Sequence, residues 1–237
     1  MAAAAAAALA FGAVGAQAST TTYSGQDDGA PTTGPFPNSA AAQASFLTDA
    51  ATHGPVYTET FENVPVGAGG GGGAFGIPGA SVTLVTPFAA PYGGVNAGGS
   101  SNVYGFNITP GGQNWLGFAN GSATFNFSSP THSFGFYTTG VQTVFTSSLT
   151  LDLSDGSSFS LPINVNGGAS YFGVTDTVGI TSATITNISD DAWGIDDVSY
   201  NFAGVPEPAS WALMLLGVFS LGGALRKQHR KAGALAA

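Results

Sequence analysis

Between Met1 and Leu225 the chain has no lysine or arginine, and all 13 of its acidic residues lie in that stretch. A fold built from it has no Lys or Arg ion pairs, so clustered carboxylates must stay solvated, take up protons or bind a cation. Nucleic acid is excluded as a partner, because binding it needs cationic side chains that displace phosphate counterions. The four bases, Arg226, Lys227, Arg230 and Lys231, are packed into the last dozen residues. Cysteine is absent, which removes disulfides and thiolate zinc sites. Core burial, strand ladders or a metal must then hold the fold.

From Val56 onward the texture is short runs of β-branched and aromatic residues between Gly, Asn, Ser and Pro turns. The runs alternate with period two at 56–62, 81–86, 123–127, 133–137, 149–154, 158–163, 171–174, 180–188 and 195–202. Nine such runs predict an all-β fold, a β-sandwich over 56–203, with Pro130 ending one strand and Asp155-Gly156 turning another. Charged residues are only 7% of the chain, against ~25% in typical soluble domains; Thr and Ser hydroxyls supply the outward polarity. Residues 19–37 read as a loosely packed or disordered leader. Asn38 is the expected cap of one short Ala-rich helix over 39–52, with Phe46 and Leu47 on one face and His53-Gly54-Pro55 as its stop. The glycine run at 67–76 lacks the Lys and following helix of a phosphate loop, and reads as a flexible surface loop.

The two ends carry targeting patterns. Residues 1–18 are apolar and close on Ala16-Gln17-Ala18, the pattern of a signal peptide cleaved after Ala18. At the other end Val205-Pro206-Glu207-Pro208 is rigid and extended. The stretch 209–225 is uncharged and mostly apolar, at the short limit of the ~17–25 residues of a transmembrane helix. The basic cluster follows and stays cytoplasmic by the positive-inside rule. Residues 205–231 closely resemble the PEP-CTERM sorting signal, also catalogued as the ice-binding protein C-terminal domain, a label that says nothing about ice. The resemblance implies export by the signal peptidase pathway, transient membrane anchoring and processing by an exosortase. It also implies delivery to the cell surface or exopolysaccharide matrix of a Gram-negative bacterium.

The body, from Phe61-Glu62 to Ile195-Asp196-Asp197-Val198, looks like the domain common in exosortase-dependent surface proteins and like jelly-roll carbohydrate-binding modules. Pairing of the first and last strands of such a domain brings Glu62 toward the aspartates. Asp196 and Asp197 are expected on opposite faces of their strand. Hard oxygens without a nearby base suit calcium, with Glu62 and Asp197 as ligands, Asp196 the alternative, and Asp190-Asp191 as further contributors. His53 and His132 are the only histidines of the body, and no G-x-S-x-G elbow is present. Adjacent Asp190 and Asp191 do not establish the ~5–10 Å carboxylate separation of a glycosidase. The body therefore reads as non-enzymatic. Trp115, Tyr92, Tyr104 and Trp193 sit near Gly/Asn loops, where exposed rings stack on sugars and buried ones form core. The expected function is that of an exported surface or matrix protein with a binding or structural module. An exopolysaccharide-binding module with structural calcium is the alternative, and a secreted hydrolase the third class.

Overall fold

A computed structural model describes residues 19–89, 92–98, 101 and 103–202. The signal peptide at 1–18, the Val205–Pro208 motif, the apolar stretch 209–225 and the basic cluster lie outside the described residues. Among the described residues no helix is long and apolar enough to cross a membrane. The elements run β1 (Thr20–Asp28), α1 (Pro37–Ala50) with a 3-10 turn at Ala51–His53, β2 (Val56–Glu59), β3 (Ala74–Ile77), β4 (Ala80–Val85) and β5 (Gly94–Ala97). They continue with β6 (Asn114–Phe118), β7 (Gly121–Thr139), β8 (Leu149–Leu153), β9 (Ser158–Ser160), β10 (Gly168–Asn187) and β11 (Trp193–Asn201). The fold is all-β: one connected sheet of eleven strands in antiparallel pairs, with one short helix.

Two long strands organise it. β7 and β10 pair from Gly121↔Asn187 to Thr139↔Ala169, with an irregular stretch between Asn126↔Ser182 and Thr175↔Ser133. Pro130, expected to end a strand, lies inside this stretch. Residues 127–130 have no β10 partner there, so the missing proline N–H costs no ladder bond. The runs at 123–127 and 133–137 are thus one strand, as are those at 171–174 and 180–188. Each long strand serves two halves of the sheet. The first half of β7 pairs with β4 and with the end of β10; β3 extends the far side of β4, and β8 then β9 extend β10. The second half of β7 pairs with β11 and with the start of β10, beyond which lies β1. The other edge of β11 takes β6 and β2 end to end, and β5 borders β6.

Period-two alternation decides what each half buries. Val82, Leu84, Phe125, Leu151 and Ile185 of the first half share one core with Phe134, Phe136, Phe172, Val174, Ile195 and Val198 of the second. The opposite face of the second half presents Tyr137, Ala169 and Tyr171, and α1 covers it with Phe46 and Ala50. Phe46 is fully buried and lies over the cross-strand pair Gly135↔Gly173. A Cβ on Gly173 would stand 2.5 Å from its ring and one on Gly135 3.0 Å. The two bare positions are the slot that seats the helix.

The leader expected at 19–37 is largely part of the fold. Thr20–Asp28 pairs residue for residue with β10, from Thr20↔Asp176 to Asp28↔Gly168. Its polar side chains gave no apolar alternation, because an edge strand is held by its ladder. It also supplies the helix cap. α1 starts at Pro37, two residues ahead of expectation, with no side-chain cap of its own. Instead the Asp27 carboxylate accepts from Asn38 N (3.1 Å) and Ser39 N (2.9 Å), placing a negative charge on the positive end of the helix. Asn38 turns its amide back to Gln26 O at 3.0 Å. The glycine run is likewise tied down: Ala74–Ile77 is a strand, and Gly67 and Ala68 exchange main-chain hydrogen bonds with Val95 at 2.7 and 2.9 Å.

Phe46→Ala is expected to destabilise by about 3–5 kcal/mol in chemical denaturation, the range for emptying a buried aromatic site. Gly173→Ala should cost about 1–3 kcal/mol by overpacking. The double variant should lose less than the sum, since removing the ring makes room for the new methyl.

Candidate functional site

The two ends of the body do meet. β2 pairs with β11 through Glu59↔Val198, which sets Glu62 three residues past the end of that ladder. On β11 the register passes from Asp196↔Tyr137 to Ser199↔Gly135, one extra residue on β11. Asp197 takes up the bulge with φ 47°. The strand alternation expected at this pair is therefore broken, and both aspartates face the loop of residues 107–114. Asp196, fully buried, accepts from Ile108 N at 2.7 Å, Thr109 N at 3.4 Å and Asp197 N at 2.8 Å. Asp197 accepts from the Thr109 hydroxyl at 2.6 Å. Glu62 Oε1 accepts from Gln113 N and Asn114 N, both at 2.7 Å, and only a glycine at 112 leaves room for it.

Three carboxylates thus clamp one loop, Asp196 and Glu62 through main-chain amides and Asp197 through the Thr109 hydroxyl. Burial pushes the Asp196 carboxyl well up, and the neighbouring Asp197 charge adds to it. Burial also raises Asp197, the Thr109 hydroxyl opposes, and the Glu62 charge adds. Asp196 has its oxygens committed to amides, so it holds the loop rather than offering a ligand. Glu62 Oε2 and Asp197 Oδ2 stand outside these contacts and are the atoms a calcium ion would find. Calcium takes six to eight oxygens, and among the described residues no group of three or more His, Asp or Glu side chains is placed to hold a metal.

The histidines sit at the sheet corner. The rings of His53 and His132 stack with centroids 5.7 Å apart and planes at 20°. His132 Nδ1 lies 3.0 Å from the Asp176 carbonyl oxygen, bracing the irregular stretch of β10.

The aromatic candidates divide. Trp115 and Trp193 are core, 4% and 1% exposed; Trp193 meets Phe118 edge-on at 5.2 Å, and Trp115 donates to Gly98 O at 3.1 Å. Tyr92 and Tyr104 are exposed, at 48% and 50%, as are Phe88 (36%) and Phe145 (59%). All four line one cleft of about 600 Å³, with Gln142, Asp190 and Asp191 beside them. The Phe88 and Tyr92 rings are 6.4 Å apart and meet at 73°. Hydrogen bonds set these positions. Buried Asp191 accepts from Gln142 N at 2.8 Å and the Thr146 hydroxyl at 2.9 Å, which fixes the turn that presents Phe145. The Thr86 hydroxyl donates to Ala119 O at 2.7 Å and accepts from Phe88 N at 3.3 Å. Gly140, at φ 79°, lets the Tyr104 main chain pass against it. Phe88 and Phe145 were not singled out from sequence. The cleft gathers residues from separate loops, and Tyr92 and Tyr104 are the parts of it that the Gly/Asn-loop signal reaches.

The titration of these carboxylates has a definite sign. Burial raises Asp176, Asp191, Asp196 and Asp197. A raised acid binds its proton more readily folded than unfolded, so stability falls as pH rises from the ordinary carboxylate value toward the raised one. Asp28 and Asp49 are lowered, chiefly by hydrogen bonds from Asn166 and Thr175, and their contribution is lost only as pH falls below about 4. Melting temperature is therefore expected to fall as pH rises above the ordinary carboxylate value of about 4, and Asp197→Asn to flatten that slope. The same series with added calcium checks the Glu62–Asp197 pair. An ion there removes their repulsion, raises the neutral end and flattens the slope, and a chelator restores it; identical curves exclude the ion.

The chain matches no known protein-family model, and no curated protein matches it.

Proposed function

We propose that this is an exported surface protein of a Gram-negative bacterium whose β body binds a glycan at the aromatic cleft. The body is read as a jelly-roll-like β-sandwich, its two sheet halves facing one core and β2 joined to the last strand, β11. The reading of location rests on the signal-like residues 1–18 and on the resemblance of 205–231 to a PEP-CTERM tail, with an exosortase as the processing partner. Calcium between Glu62 and Asp197 belongs to the same proposal, as a tie between the ends of the domain. No catalytic role is assigned to the body.

The observation that carries the binding reading is the convergence of Phe88, Tyr92, Tyr104 and Phe145, exposed together around one cleft. Exposed rings cost hydration and are retained where something covers them. The C–H faces of a sugar are apolar enough to stack on such rings, and its hydroxyls find Gln142 and Asp190 at the same cleft. A concave site with aromatic walls and a few polar groups is the usual form of a small-ligand site.

Co-sedimentation with extracellular polysaccharide tests it. The chain should pellet with the polymer, and Tyr92→Ala with Phe145→Ala should weaken binding by about tenfold or more, the loss of roughly 1.4 kcal/mol. Unchanged binding in that double variant would remove the cleft from the function and leave a structural surface protein. Sorting is checked by intact mass of the envelope-associated protein, expected to lack residues 1–18 and the tail beyond the Pro206-Glu207-Pro208 motif. An unprocessed chain in the cytosol would refute it.

A further inference from the structure

The chemistry of the cleft narrows its ligand, on the reading that it binds a glycan. Two of its lining rings, Phe88 and Tyr92, pack edge to face with centroids 6.4 Å apart, and both stay exposed at the cleft. Tyr104 and Phe145 line the same space. The face of each ring carries the negative lobe of its quadrupole. Beside them stand two carboxylates. Asp191 is buried and committed to holding the 142–146 turn. Asp190 is exposed at the cleft. No cationic side chain lines the cleft, and none exists anywhere between residues 19 and 202, where 12 acidic residues lie (the chain's 13 less Glu207).

Each of these features acts in the same direction. Exposed aromatic rings sharing a cleft with a carboxylate attract an ammonium group, by about 0.5–2 kcal/mol for each well-placed ring. The wider field of the body repels uronates and sulfates and draws cations toward the surface. A neutral sugar would use the rings and leave the Asp190 charge without a partner. We propose that the cleft recognises a glycan bearing free amino groups, a hexosamine polymer that is at least partly unacetylated. An ammonium sits in the cleft beside Asp190, and the sugar rings stack on the exposed aromatics. Asp190 is the specificity-determining residue, and Asp191 positions Phe145.

Calorimetric titration of the purified full chain with three hexasaccharides tests this: glucosamine, its fully N-acetylated form, and a uronic acid oligomer. The expected order is free amine over acetylated by about tenfold or more at low salt, with the uronate not bound. Asp190→Asn should bring the amine and acetyl forms to within about twofold of each other, because an amide offers no charge. Tyr92→Ala should weaken both. Equal or tighter binding of the acetylated hexamer would overturn the amino preference and leave the glycan reading intact. Binding of none of the three would overturn the glycan reading as well. Tetramethylammonium serves as the bare cation: if it binds and no oligosaccharide does, the cleft is an ammonium site and not a glycan site, which also overturns the proposal.

Discussion

Main-chain amides take the part in this fold that lysine and arginine take in most others. With no base in the body, each buried or half-buried carboxylate had to find its donors elsewhere. Asp27 finds the first amides of α1, and Glu59 the amide of Phe61 at 2.7 Å. Glu62 and Asp196 find the 107–114 loop, Asp176 the amide of Val178 at 2.6 Å, and Asp191 the 142–146 turn. An amide cannot swing toward an acid as a lysine can, so the backbone must be shaped around each carboxylate. The bulge at Asp197, the glycine at 112 and the strand laid beside the helix start are three results of that one demand. Oriented amides offset part of the cost of a buried charge, while burial still holds the carboxyls of Asp176, Asp191 and Asp196 raised.

Some of the fold was legible in the residues because local pattern and tertiary role agreed. The runs at 149–154 and 158–163 with their Asp-Gly turn became β8 and β9, and the 56–62 run reached the last strand as β2. Pattern was silent where neighbours decide. β1 is polar along most of its length and is a strand because β10 offers it nine consecutive partners. β7 runs through Pro130 because the ladder is already interrupted there. β6, Asn114–Phe118, sits among glycines and asparagines that read as loop, and Trp115 and Leu116 in it are core.

The candidate sites show the same division. That Glu62 and the Asp196-Asp197 pair share a neighbourhood followed from the expected pairing of the 56–62 run with the last strand. That both aspartates turn to the same loop did not, since a single inserted residue reverses the facing of a side chain. Among the aromatics, composition near loops could not separate Trp193, packed on Phe118, from Tyr104, which stands in solvent. Ring exposure depends on contacts far apart in the chain, such as Asp191 with Gln142, and these leave no period to read.

β11 is the last element before the chain continues past Phe202, and it is also among the most enclosed: β7 borders one edge, and β6 and β2 share the other. Tension applied along the following segment enters the fold through this strand. It loads the hydrogen bonds on both edges of the strand, where a pull on the edge strand β1 would load those of one edge only. Resistance to a pull is governed by the rate of unfolding over its barrier and not by equilibrium stability alone. A pull from the C-terminal side would thus be met first by a strand held on both edges.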